Sequence, residues 1–248
     1  MDKASDSASI AELLDERRHL LKVACSILGT GAEAESVIAE TYRQWYELPD
    51  PARARIATPR SWLAQLVGSI CSADASAFVL DDPFRTAPVA VAEGQADPDC
   101  TELAGHARRS LRARRSRPAT PQQHDAVVRT VPCATGDAPL LASLLAPDVT
   151  AVFDGGGKVR ALTEPVHGHL EVAHSLLTLL GPRPGTTLHT HSVNGSTGIV
   201  ARYDHRVAAV IILDIAGPHV VQAWVTLNPD KLRSWNRPTA ETGKPGRS

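Results

Sequence analysis

Along the first eighty residues the apolar positions recur at helical spacing. Leu20, Ala24, Ile27 and Leu28 share one face of a helix that begins near Ile10 and stops at Gly29. Thr30 stands three residues before Glu33, a capping box that opens a second helix. That helix is expected to bury Val37, Ile38, Thr41 and Trp45 and to expose Glu33, Glu40 and Arg43. Pro49 and Pro51 break the chain. Thr58-Pro59 is an N-cap with proline at the first helical position, and Trp62, Leu66 and Ile70 follow at i, i+4 and i+8.

From Thr120 onward the pattern changes. Thr120, Pro121 and Gln123 start a helix with an apolar face of Val127, Val128 and Val131, which Pro132 kinks or ends. Leu140, Leu141, Leu144 and Leu145 make a short helix before Pro147. Residues 149–154 then read as a strand, and DGGGKVRAL as a glycine turn with a return strand. His169 to Leu180 is an amphipathic helix closed by Gly181-Pro182. The strands Leu188–Val193, Gly198–Tyr203, Val207–Ile215 and Val220–Asn228 follow. Helices followed by a meander predict an α+β fold in which a curved antiparallel sheet wraps helices around a pocket.

Between the halves lies LAGHARRSLRARRSRP, Leu103 to Pro118, with Arg108, Arg109, Arg112, Arg114, Arg115 and Arg117. A solvated connector and a nucleic-acid-binding helix would both carry such a run. The formal net charge of the 248 residues is −1, so any nucleic-acid binding has to come from a local patch. Four scattered cysteines without CxxC spacing argue against a zinc site or a disulfide framework and fit a reducing compartment. Met1 leads into a polar stretch unlike a signal peptide. No apolar run approaches the roughly 20 residues of a membrane span, so a soluble, cytoplasmic protein with no membrane contact is expected.

RRHLLKVACSILGTGAEAESVIAETYRQWYELPD followed by TPRSWLAQLVGSIC resembles region 2 of the extracytoplasmic-function (ECF) sigma factors. The resemblance implies that the helix Glu33–Glu47 docks on core RNA polymerase, with Glu33, Glu40, Arg43 and Trp45 as polymerase-binding residues. It further implies that the helix from Pro59 leads into the part that melts the promoter. Here that helix runs into Ser72-Ala73-Asp74-Ala75-Ser76, without the cations and aromatics that capture single strands. AFVLDDPF and DPDCTELAGHARRSLRARRSRP resemble the start and the recognition helix of region 4. On that reading Arg108, Arg109 and Arg112 are DNA-binding residues of a helix-turn-helix. Pro83 and Pro88 interrupt the first helix, Asp99 and Glu102 put carboxylates near the groove-facing end, and the usual linker is missing. Promoter DNA is therefore expected to bind weakly or not at all.

Asp154-Gly155-Gly156-Gly157-Lys158 and Asn228-Pro229-Asp230-Lys231-Leu232, with Val193-Asn194-Gly195, resemble the SnoaL-like (nuclear transport factor 2-like) extension of one ECF group. The resemblance implies that this domain modulates the sigma regions, with Asp154, Lys158, Asn228, Asp230 and Lys231 as regulatory residues. The expected layout is a sigma region 2-like helical domain over 10–76 and a degenerate region 4-like remnant over 77–117. A SnoaL-like domain over 118–236 follows, and the tails 1–9 and 237–248 are flexible.

Seven of the ten histidines fall between His167 and His219, and His189 and His191 share one strand face. Paired HxH can bind zinc, but no Cys or carboxylate stands at matching spacing, so neither a metal nor a cofactor is expected. Related SnoaL-like domains include cyclases and isomerases with a pocket Asp or His. Asp154, His189, His191, Tyr203 and Asp214, with Trp224, could line such a pocket and supply acid–base catalysis. Two functions follow. The first is a sigma-factor-like regulator contacting RNA polymerase with weakened promoter recognition. The alternative is a repurposed protein whose pocket binds or converts a small metabolite.

Overall fold

The computed structural model describes residues 8–79 and 119–237, and for 73–79 the backbone alone. The region 4-like remnant from residue 80 onward, with Arg108, Arg109 and Arg112, lies outside the described residues.

The first helix, α1 (Ile10–Leu28), starts on a capping box formed by Ser9 and Glu12 and ends at Gly29, whose φ of 78° suits a residue without a side chain. Ser9 was expected in a flexible tail and is instead the cap. α2 (Gly31–Glu47) is capped by Thr30, which accepts from the Glu33 amide. A short turn of helix, α3 (Asp50–Arg53), leads to α4 (Pro59–Val79), which continues well past Cys71. α1, α2 and α4 close on a core of Leu20, Ala24, Ala34, Val37, Ile38, Tyr42, Trp45, Leu63, Val67 and Cys71. The α2 face is the one the sequence pattern implies. Two other faces are turned: Ile27 is exposed, and α4 buries Leu63, Val67 and Cys71 rather than centring on Trp62, Leu66 and Ile70. α4 is apolar on most sides, so spacing alone does not fix which stripe faces inward.

The second half opens with α5 (Pro121–Ala134) and α6 (Ala138–Leu144). Thr120 and Gln123 form the expected capping box, and Pro132 sits so close to the C-terminus of α5 that the helix runs on to Ala134. β1 (Leu145–Asp154), β2 (Val166–His167), α7 (His169–Leu180), β3 (Thr186–Val193), β4 (Ser196–Tyr203), β5 (Arg206–Ala216) and β6 (His219–Thr226) follow. The strands form one curved sheet in the order β2-β1-β6-β5-β4-β3. Among the described residues it is antiparallel except between β1 and β6, which run parallel. The sheet is thus mixed rather than wholly antiparallel, because β1 enters from the helices and lies beside the last strand. α5, α6 and α7 cover one face, over a core that includes Val128, Leu141, Val149, Ala151, Leu176, Ile199, Ile211 and Val225.

The return strand expected after the glycine turn is absent among the described residues. Residues 158–165 pair with no strand, and pairing resumes only at Val166–His167.

α1 belongs to both cores. Ile10 and Leu13 pack in the sheet core, while Leu20 and Ala24 pack in the helical core. At 1.5 Å per residue its 19 residues span about 28 Å, enough to reach through both. A boundary at residue 10 therefore does not separate the two packed bodies. Leu13→Ala is expected to destabilise the fold by about 3 kcal/mol, as for other buried leucines. Urea denaturation followed by near-ultraviolet circular dichroism measures this, and a loss under about 0.5 kcal/mol would contradict the shared-helix packing.

Candidate functional site: the seam between the two halves

The stripe that α1 turns inward runs Ile10, Leu13, Leu20, Ala24, and at its middle stand two charged residues, Glu16 and Arg17. Both are buried. Glu16 pairs with Arg160, 3.3 Å away, and the two side chains are 3% and 8% exposed. Tyr42 of α2 donates its hydroxyl to Glu16 at 3.3 Å. Burial and the neighbouring Glu16 carboxylate push the Tyr42 hydroxyl well above the ordinary tyrosine range. The Arg160 guanidinium also lies 6.0 Å from the centre of the Trp45 ring. Arg17 donates to the carbonyl of Lys158 at 2.8 Å and pairs with Glu35 at 2.6 Å. Tyr46 donates its hydroxyl to the carbonyl of Val159 at 2.9 Å and accepts from the amide of Ala161 at 2.8 Å.

These contacts explain the missing strand. The backbone groups of 158–161 need partners once buried. They find them on Arg17 and Tyr46 of the helical half rather than on a neighbouring strand. Arg17, Glu16, Tyr42, Tyr46 and Arg160 were not singled out from the sequence. The available signal was the charged pair interrupting the apolar stripe of α1, together with Arg160 beside the glycine turn.

The regulatory residues named from the motifs do come together. Asp154 accepts from the Gly156 amide at 3.0 Å and pairs with Lys231 at 2.8 Å. Lys158 pairs with Asp230 at 2.6 Å and holds its carboxyl below the usual range. The Asn228 side chain accepts from the Asp230 amide at 3.0 Å. It also covers Gly156, where a Cβ would come within 2.1 Å of it, on a backbone with φ +60°. At Gly155 a Cβ would meet the Val159 carbonyl at 2.5 Å. The glycine turn and the Asn228 loop are one unit, and that unit presents residues 158–161 to α1 and α2.

On the far side of α2 the helix is acidic. Glu33 accepts from the Thr30 hydroxyl at 2.8 Å, and Arg43 pairs with both Glu40 and Glu47. Helical spacing sets Glu33, Glu40 and Glu47 opposite Glu35, Tyr42 and Tyr46, so the surface face points away from the seam. Trp45 is a correction to the expected polymerase-binding set. It is fully buried, edge-on to Trp62 at 5.4 Å, and helps form the core that carries the surface residues.

The five residues expected to line a catalytic pocket do not converge. Asp154 is engaged in the glycine turn. Tyr203 lies beneath Arg18 and donates to Asp15 of α1 at 2.9 Å, a hydrogen bond that raises its hydroxyl above the ordinary range. His189 and His191 are exposed on β3, on the face of Val193. Asp214 sits beside Gln222 on β5 and β6, between the core-facing Leu213 and Ile215. The side of the sheet facing the helices is filled by aliphatic side chains. Among the described residues no group of three His, Cys, Asp or Glu could hold a metal ion, and no helix is long and apolar enough to cross a membrane.

A compact helical module clasped to a curved sheet with helices on one face is the class this architecture defines. No family model matches the chain. Solved structures similar to about half of the chain include a putative ketosteroid isomerase from Kribbella flavida, 17% identical over 51% of this chain and 85% of that one, TM-score 0.32. Another is an NTF2-like protein of unknown function from Mesorhizobium loti, 16% identical over 45% of this chain and 96% of that one, TM-score 0.34. The resemblance to the ECF sigma factors is borne out along nearly the whole chain. It is 26% identical to the ECF RNA polymerase sigma factor SigJ of Mycobacterium tuberculosis, covering 90% of this chain and 93% of that protein. The crystal structure of SigJ covers 91% of this chain and 98% of its own at 25% identity, TM-score 0.38. The alignment with SigJ spans 293 positions, more than the 248 residues here, so SigJ carries residues with no counterpart in this chain.

Two predictions test this site. Glu16→Gln removes the buried charge that faces Arg160 at 3.3 Å and is expected to cost about 3–5 kcal/mol, while Glu16→Leu with Arg160→Met recovers most of it. Equal losses in the single and double variants, measured by denaturant titration, would contradict the pairing. At the surface, the hydrogen bond from Arg43, then that from Gln44, lowers the Glu40 carboxyl to about 2. A carboxyl depressed in the folded state contributes its stability above the unfolded value and loses it as pH falls through about 2. NMR titration is expected to find Glu40 ionised at pH 3.5, and Arg43→Ala to return it toward the ordinary range. An unchanged midpoint in that variant would refute the assignment.

Proposed function

We propose that this protein is a sigma-factor-like transcription regulator that contacts RNA polymerase through the exposed face of α2. Its SnoaL-like domain holds the helical module from the opposite side. The observation that carries the reading is the placement of Glu33, Glu40 and Arg43 on an open, acidic helix face directed away from the seam. The similarity to a sigma factor over most of both chains supports it.

The regulatory role falls to Asp154, Lys158, Asn228, Asp230 and Lys231, acting through position. They fix the loop whose backbone grips Arg17 and Tyr46, so a change in that loop reaches α2 through two hydrogen-bonded side chains and the Glu16–Arg160 pair. Promoter recognition is weak in this reading. Residues 72–76 follow Cys71 with no arginine or lysine and no aromatic side chain, whereas strand capture needs both cations and stacking surfaces. No observation favours a metabolite-converting site, since Asp154, Tyr203 and the two strand histidines point to different partners.

The test is binding of the intact protein to core RNA polymerase. Glu40→Lys combined with Arg43→Glu reverses the surface charges without touching the helical core, and affinity is expected to fall at least tenfold, about 1.4 kcal/mol. Unchanged affinity in this variant, or no binding by the native chain at micromolar concentration, overturns the reading.

A further inference from the structure

β3 is the outermost strand of the sheet, and among the described residues nothing pairs with its outer side. Its sequence, TTLHTHSV, contains neither proline nor a Lys, Arg, Asp or Glu, the usual devices that blunt an edge. The turn joining it to β4 has φ of 50° at Asn194 and 81° at Gly195, the pattern of a tight two-residue hairpin, and β3 stays paired with β4 to its last residue, Val193 opposite Ser196.

His189 and His191 lie two residues apart on this strand and hence on one face of the sheet. Both are exposed. The His191 ring is oriented from two sides. Its Nδ1 lies 3.0 Å from the backbone carbonyl of Ser192, which can only accept, so Nδ1 carries the proton. Trp235 meets the same ring edge-on at 5.3 Å. The Nε2 lone pair of His191 is therefore free. An imidazole that donates one ring N–H to a backbone carbonyl and offers the other nitrogen is the arrangement found at metal-ligating histidines.

We infer that β3 is the site of a metal-bridged association between two copies of this chain. Two copies pair antiparallel across their β3 edges about Thr190, and a zinc-class divalent ion is held by His189 and His191 of each. Symmetry about Thr190 sets His189 of one copy opposite the second copy's His191, and the reverse. Residues directly opposite across an antiparallel pair have Cα atoms about 4.5–5.5 Å apart. All four imidazoles then stand on one face of the joined sheet. Zinc takes four ligands tetrahedrally at about 2.0–2.1 Å to nitrogen, so one copy supplies half of a site and the second completes it. Within a single chain no third ligand is at hand among the described residues. This association is independent of the polymerase reading, because β3 lies in the sheet half and the polymerase face lies on α2.

The test uses the full chain, stripped of metal with chelator, then given half an equivalent of zinc chloride. Light scattering is expected to show the mass rising from 26.4 kDa to twice that value and falling again on adding chelator. His189→Ala and His191→Ala should each remain at the single-chain mass, while His174→Ala on α7 should still associate. Circular dichroism confirms that each variant is folded. Cobalt(II) titration of the native chain should give a tetrahedral absorption spectrum saturating at one ion per two chains, a readout that needs no variant. The proposal is overturned by a mass that does not respond to zinc, by one cobalt ion per chain, or by zinc-dependent association that survives both histidine substitutions.

Discussion

One helix serving two cores is the constraint on which the molecule depends. α1 begins among the side chains of the sheet domain and ends among those of the helical module. Neither half can complete its interior without it. At its midpoint the apolar stripe has to cross from one core to the other, and the residues placed there are charged. Two buried charges taken out of water are costly alone and tolerable only as a well-bonded pair. Glu16 meets that condition with Arg160 and Tyr42, and Arg17 with Glu35 and the Lys158 carbonyl. An apolar crossing would have glued the halves together by area alone. A polar one fixes their register, because the pairs form in one relative position only.

The glycine turn follows from the same constraint. Residues 158–161 lie between the sheet and the helices, where an ordinary β-hairpin would have used their backbone groups within the sheet. The turn instead leaves the sheet and offers those groups to Arg17 and Tyr46. Two glycines are required at close range. Gly155 leaves room for the Val159 carbonyl, and Gly156 lets Asn228 settle on the backbone. The Lys158–Asp230 and Lys231–Asp154 pairs then tie the turn to the loop after β6. What looks in sequence like two separate motifs, 70 residues apart, is one buttress behind the seam.

Much of this was readable before the structure. Most helix starts, the caps at Thr30 and Thr120, the amphipathic helix of α7 and the run of four late strands follow from local spacing and turn chemistry, whereas the end of α4 at Val79, well past Cys71, does not. The grouping of Asp154, Lys158, Asn228, Asp230 and Lys231 was visible through the family resemblance. Three things were not. The buried face of α4 is decided by tertiary packing, since an all-round apolar helix has no preferred stripe. The failure of residues 158–165 to form a strand depends on partners more than a hundred residues away in sequence. The expected pocket assumed that polar residues on strands face a common interior, whereas Tyr203 turns to α1 and the β3 histidines to the outer face. Trp45 is buried as the helical pattern implies, and that burial removes it from the surface the resemblance assigned it to.

The two halves are one cooperative body because α1 is part of both interiors. Calorimetric unfolding of the intact chain tests this most directly. A shared helix predicts a single transition whose van't Hoff and calorimetric enthalpies agree. Two resolved transitions, with the helical signal lost at one temperature and the sheet signal at another, would show that each half keeps its own core and would contradict the claim.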